Sequence, residues 1–235
     1  MSNFKFLLVV SLIISIGCSN DDPSEGSIQL TISSVNPTSA KQIFSSKTNN
    51  TNVIFTDFQI SIRDVVFKNE DDLSSSLDTD EIQFRGPYQI DLLNNSNALS
   101  QTIGDVFVPD GKYKELRFKF HKDEDLSSNH VLFDKSIYIE GTIDGTPFEF
   151  WHDTSENLDV GRSTGIEVTN GTVNFEVQFD ISQFLNSLHS IDLDTAVDGN
   201  GNGIIEINPN DNDGNQELAR LLKENIKETA DLINF

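Results

Sequence analysis

From residue 28 onward, apolar and polar residues alternate with a period of two, the pattern of half-buried strands. Ile28, Leu30 and Ile32 alternate with Gln29 and Thr31. Phe58, Ile60 and Ile62 alternate with Gln59, Ser61 and Arg63, and the run continues through Val65 to Phe67. Ile82 and Phe84 open another strand, which Gly86-Pro87 interrupts before Tyr88, Ile90 and Leu92. Pro109-Asp110-Gly111 predicts a turn, because proline presets φ and glycine accepts a positive one. It leads into Tyr113 to Phe120, with Leu116, Phe118 and Phe120 on one face. In SIYIEGTIDGTPFEFW, Ile137, Ile139 and Thr142 run up, Asp144-Gly145 turns, and Phe148 and Phe150 return. A last strand spans Val173 to Ile181, with Val173, Phe175, Val177 and Phe179 on one face. Strands spaced roughly 10 to 20 residues apart, with turns between, predict a mainly β protein, an antiparallel β-sandwich.

Helical spacing occurs in two places. A short helix is expected near Ser182 to Leu188, and a longer one over 216–233. There Leu218, Leu221, Leu222, Ile226, Ala230 and Ile233 form one stripe that packs on the sandwich. Asp213 and Gln216 read as its capping pair. Ser33 to Asn52 and Asn69 to Asp80 are polar and read as long surface loops. There is no internal repeat, so residues 27–235 are expected to form a single domain.

The first stretch, MSNFKFLLVVSLIISIGC, stands apart. Lys5 supplies a short basic region and Phe6 to Ile14 an apolar one. About 10 apolar residues are too few to span a bilayer and predict a signal peptide over 1–17. The end Ser15-Ile16-Gly17-Cys18 resembles the lipobox of bacterial lipoproteins. The resemblance implies that the Cys18 sulfur is lipidated and that the acylated residue becomes the new N-terminus, a stable multi-chain anchor. Residues 18–26 then read as lipidated cysteine and acidic tether, similar to the surface-export signal of Bacteroidetes lipoproteins. Cys18 is the only cysteine, so no disulfide can form within the chain.

Sixteen basic residues against 38 acidic ones leave a net charge of −22. Nucleic acid is excluded as a partner class by the lack of clustered Lys and Arg. Attraction to anionic lipid is excluded on the same ground. Cations are the ligands such a surface favours.

Four motifs between Phe55 and Ile181 carry a resemblance: DFQISIRDVVF, IDLL at Ile90 to Leu93, PDGKYKELRFKF, and FEVQFD at Phe175 to Asp180. They resemble a class of Bacteroidetes lipoproteins with a domain of unknown function. The resemblance implies a prealbumin- or immunoglobulin-like sandwich, grouped at times with carbohydrate-binding modules, with no established activity. A looser resemblance runs to periplasmic partner proteins of methanobactin-type copper systems. Those carry further cysteines and tryptophans that this chain lacks.

The candidate chemistry lies in DGNGNGIIEINPNDNDGN, Asp198 to Asn215. Against the EF-hand calcium loop, Asp198, Asn200 and Asn202 occupy positions 1, 3 and 5. Gly203 takes the sharp turn at position 6, Ile204 offers its carbonyl at 7, and Glu206 stands at 9. Pro209 occupies position 12, where the bidentate glutamate belongs, so Asp211 or Asp213 would have to complete the shell. Bare Asx turns are the alternative for residues 198–213. Gly161-Arg162-Ser163-Thr164-Gly165 matches a nucleophile elbow by letters alone; strand-like residues follow it where that chemistry needs a helix. The histidines His121, His130, His152 and His189 lack metal-ligand spacing, and no pair of acids stands out as a glycosidase dyad.

The expectation is a non-enzymatic, lipid-anchored binding or structural module of the outer membrane, periplasmic or surface-exposed. A weakly held calcium orders one loop, and a carbohydrate or an envelope protein is the partner. The alternatives are a periplasmic metal-handling protein and a carbohydrate-active accessory protein, for which Trp151, Tyr88 and Tyr138 are the available aromatics.

Overall fold

The computed structural model describes residues 25–35, 51–70, 83–210 and 213–233. The signal segment, Cys18, most of the tether and Asp211 lie outside these residues, as does most of the two polar loops. Among the described residues, twelve strands and one α-helix follow in order: β1 Glu25–Val35, β2 Val53–Asn69, β3 Tyr88–Asn94, β4 Asn97–Ala98, β5 Ser100–Pro109, β6 Gly111–Phe120, β7 Ile137–Ile143, β8 Thr146–His152, β9 Asn157–Val168, β10 Thr172–Asp180, β11 Ile205–Ile207, α1 Gln216–Lys227 and β12 Ala230–Ile233. The smaller sheet runs β12-β10-β1-β5; the larger runs β11-β8-β7-β2-β3-β4, with β6 joining β2 to β9. The two pack face to face as a mainly β sandwich.

The alternation read in the sequence is the division between core and outer faces. Ile28, Leu30 and Ile32 of β1 and Phe175, Val177 and Phe179 of β10 are completely buried. Phe175 and Phe179 meet Phe58, Phe67 and Tyr113 across the sandwich through edge-on rings, the tightest being Phe67–Phe175 at 5.4 Å between centroids. Edge-to-face packing of this kind adds to the area buried. Phe184, just after β10, closes one end against Phe55, Phe58 and Phe150.

Each recognised motif has a local physical cause. In IDLL, the β2–β3 register shifts between Phe58 and Gln59, which turns both Leu92 and Leu93 inward. A bulge carries two consecutive side chains to one face in this way. In DFQISIRDVVF, the β2–β6 register shifts after Arg63, and Asp64 adopts φ 51°. In PDGKY, the Tyr113 hydroxyl donates to the Pro109 carbonyl at 2.9 Å, tying the β5–β6 turn to its own strand. In FEVQFD, Asp180 caps a short 3₁₀ turn by accepting from the Ser182 amide at 2.9 Å.

Three details differ from the sequence reading. The strands are not all antiparallel: β1 pairs β10 in parallel, as does β11 with β8. The segment near Ser182 to Leu188 forms only a 3₁₀ turn, Ile181–Gln183. The terminal helix stops at Lys227 rather than 233, and Ala230 and Ile233 fall in β12, which pairs β10. In β12 the period of two replaces the helical stripe: Leu232 is buried and Ala230 packs against the core, while Ile233 alternates to the other face.

Candidate functional site

The Asp198 loop follows a 3₁₀ turn at Leu193–Thr195 and ends where β11 joins the larger sheet beside β8. The Asp198 carboxylate organises it. One oxygen accepts from the Gly201 and Asn202 amides at 2.8 and 3.1 Å, and the other from the Gly203 amide at 2.9 Å. Asn200 Oδ1 accepts from the Asn202 amide and Asn202 Oδ1 from the Ile204 amide, at 2.9 and 2.8 Å. Gly201 and Gly203 take φ 73° and 89°, a region that costs glycine nothing.

The loop is braced from the far side. Asp213, buried, accepts from the Asn200 amide with one oxygen and the Glu206 amide with the other, at 3.0 and 2.8 Å. It does not cap α1, whose N-cap is Asn215 without a side-chain capping bond. Asn215 instead accepts from the Val197 amide and donates to the carbonyls of Val197 and Glu206. At Gly199 a Cβ would lie 2.4 Å from the Asp213 carbonyl oxygen, so the loop closes backbone on backbone there.

These residues fit a calcium ion in part. Asp198, Asn200, Asn202 and Glu206 converge on one turn; the Glu206 carboxylate accepts from Asn200 Nδ2 at 2.6 Å, bringing positions 3 and 9 together. Asp213 already holds two amides, and Asp211 lies outside the described residues. Among the described residues, no three His, Cys, Asp or Glu side chains are grouped to hold a metal by themselves. Any cation here would rely on amide and carbonyl oxygens beside the two carboxylates of Asp198 and Glu206.

Glu206 also ends a row of acids that the sequence reading missed. Across the outer face of the larger sheet, Asp57 pairs Glu140, Glu140 pairs Glu149, and Glu149 pairs Glu206. Like charges directly opposed across strands are destabilising. Burial, with repulsion from Glu140 and Glu206, raises the Glu149 pKa against the pull of Lys135. Burial likewise raises that of Asp57, with Glu140 and Asp91 adding to it against a hydrogen bond from Gln59. One signal was available: a two-residue turn at Asp144-Gly145, both at positive φ, forces Glu140 opposite Glu149. The adjoining row holds Tyr138 and Trp151, with the Lys135 ammonium 5.0 and 5.7 Å from their ring centroids. Tyr138 is buried and Trp151 half-buried, so neither is an open platform for a sugar.

The remaining candidates scatter. Gly161 to Gly165 lies within β9, with no helix following it. His152 ends β8, His189 meets Glu224 at 2.6 Å, and His130 lies in the β6–β7 connection. No helix among the described residues is long and apolar enough to cross a membrane.

The model of one family, described as Domain of unknown function (DUF4382), matches residues 25–209, and the chain belongs to that family. No curated protein and no solved structure matches the chain.

Proposed function

We propose that this DUF4382 protein is a lipid-anchored module of the cell envelope that binds a partner rather than transforming it, and that calcium orders its Asp198 loop. The observation that supports the reading is the Asp198 carboxylate, which gathers the amides of Gly201, Asn202 and Gly203 as the first position of a calcium loop would. The acidic row gives the cation a second reason to bind, since neutralising Glu206 relieves the repulsion along Glu149 and Glu140. Asp198, Asn200, Asn202, the Ile204 carbonyl and Glu206 would hold the ion. Only two of these groups carry charge, which places the affinity in the range of extracellular modules, roughly 10⁻⁴ to 10⁻³ M. The anchor rests on the lipobox-like Ser15 to Cys18 and the acidic tether of an outer-membrane lipoprotein. Calorimetry of the folded chain should show calcium binding at that strength, with magnesium weaker, and Asp198→Ala should remove it; no heat at millimolar calcium would overturn the assignment. In cells, Cys18→Ser should release the protein from membranes or leave its signal uncut, and a processed serine variant that stays with membranes would contradict the anchor.

A further inference from the structure

The strap from Lys122 to Lys135 joins β6 to β7 and reaches across the outer face of the larger sheet. Asp123, itself buried, accepts from Gln89 of β3, and Lys135 lies over the rings of Tyr138 and Trp151. Ser61 sits beneath. Its neighbours Ile60 and Ile62 face the core, so Ser61 faces outward, yet it is completely buried.

His121 stands where the strap leaves the sheet. Its amide donates to the Ser61 carbonyl at 3.0 Å, one residue beyond the Ile62–Phe120 pair, which sets the two side chains opposite each other. Nε2 of His121 lies 3.2 Å from Nη1 of Arg63, and Arg63 Nε donates to Asp64 at 2.7 Å. A guanidinium only donates, so Nε2 must accept and the ring proton must sit on Nδ1. Nδ1 is buried without a hydrogen-bond partner, and so is the Ser61 hydroxyl. Buried unpaired polar atoms disfavour the closed arrangement, so the strap's first residues are held by the Arg63–His121 contact and the Gln89–Asp123 hydrogen bond.

We propose that His121 is a pH-operated latch for this strap. Neutral, it accepts from Arg63 and keeps the strap's first residues closed over Ser61. Protonated, it aims a second N–H at the guanidinium; the contact breaks and residues 122–125 lift away. The strap's far end stays in place through Leu132 and Ser136, both completely buried. The charged groups facing His121 are Arg63 and Asp64 on β2, Lys119 on β6 and Glu124 on the strap; Arg85 reaches Asp64 from the far side at 3.9 Å. Burial first, then Arg63 and Lys119, lower the His121 pKa from its ordinary 6.5, against Glu124 and Asp64. The latch therefore stays shut near neutrality and opens in mild acid.

Hydrogen exchange on the full chain tests this between about pH 8 and pH 5, corrected for intrinsic rates, within the range in which histidine changes charge. Protection of amides 121–126 should fall roughly tenfold per pH unit below the His121 titration. Arg63→Gln should move the midpoint upward, and His121→Asn should remove the pH dependence. Nitrogen shifts of the wild-type ring should show the proton on Nδ1 above the titration, a readout that needs no variant. A proton on Nε2, pH-independent protection in the wild type, or the same response in His121→Asn would each overturn the proposal.

Discussion

At the scale of single residues, the energetics concentrate in a few buried amides and one close approach. Asn225 is completely buried and clamps the chain after β10: its Nδ2 donates to the carbonyls of Phe184 and His189, and its Oδ1 accepts from the His189 amide. Asn225→Leu leaves those backbone groups unsatisfied, each costing about 1–3 kcal/mol. Urea unfolding should show a loss of about 3 kcal/mol, and a loss below about 1 kcal/mol would mean that water replaces the clamp. Gly199→Ala places a methyl against the Asp213 backbone, and overpacking of this kind costs about 1–3 kcal/mol. The cost should appear in the same measurement and fall on the Asp198 loop by hydrogen exchange. None of these roles shows in the letters. Asn225 reads as a polar position in an amphipathic helix, and Asp213 reads as a cap or a ligand until the fold brings the Asn200 and Glu206 amides to it.

At the scale of elements, α1 is fastened to the sandwich by charge as well as by Ala219, Leu222 and Ile226. Glu156, between β8 and β9, meets Lys223 and Lys227 of the helix, the latter at 2.6 Å. Hydrogen bonds from both lysines lower its pKa from 4.5 to about 2. Because the folded value lies below the unfolded one, the unfolded chain binds protons first as pH falls. The stabilisation is full above 4.5 and is lost on the way down to about 2. Glu156→Gln should lower stability at neutral pH, change little below about pH 2, and so flatten the acid limb in between; an unchanged acid limb would exclude the pairing. Strands β1, β2, β6, β7, β8 and β10 were legible because each buries one face and exposes the other. Strand β5 was not: it is a sheet edge, its residues are mostly half-buried or exposed, and Phe107 is 76% exposed, so alternation carries no signal. Strand β9 was hidden by four consecutive exposed residues, Gly161 to Thr164. The parallel pairing of β1 with β10 depends on contacts about 145 residues apart, which periodicity cannot report.

At the scale of the molecule, the sandwich turns separate stretches of acid into one electrostatic object. Asp57, Glu140, Glu149 and Glu206 are distant in sequence and adjacent only through register, which is why the sequence reveals the Asp198 loop but not the row it terminates. Glu149→Gln removes one charge from the middle of that row and should raise stability at neutral pH while weakening calcium through the more distant field. A loss of stability would show that Lys135 needs the Glu149 carboxylate more than the row needs relief. The loop, the row and the net charge of −22 are the grounds on which calcium is proposed. Thermal melting of the folded chain tests that claim most directly, with calcium, magnesium or chelator present. At tenfold excess over its dissociation constant, calcium should contribute about 1.4 kcal/mol. For a domain of this size that corresponds to a rise of roughly 4 °C. That rise is expected with calcium, a smaller one with magnesium, and none in Asp198→Ala. A melting temperature indifferent to calcium and chelator, or an equal rise in Asp198→Ala, would contradict it.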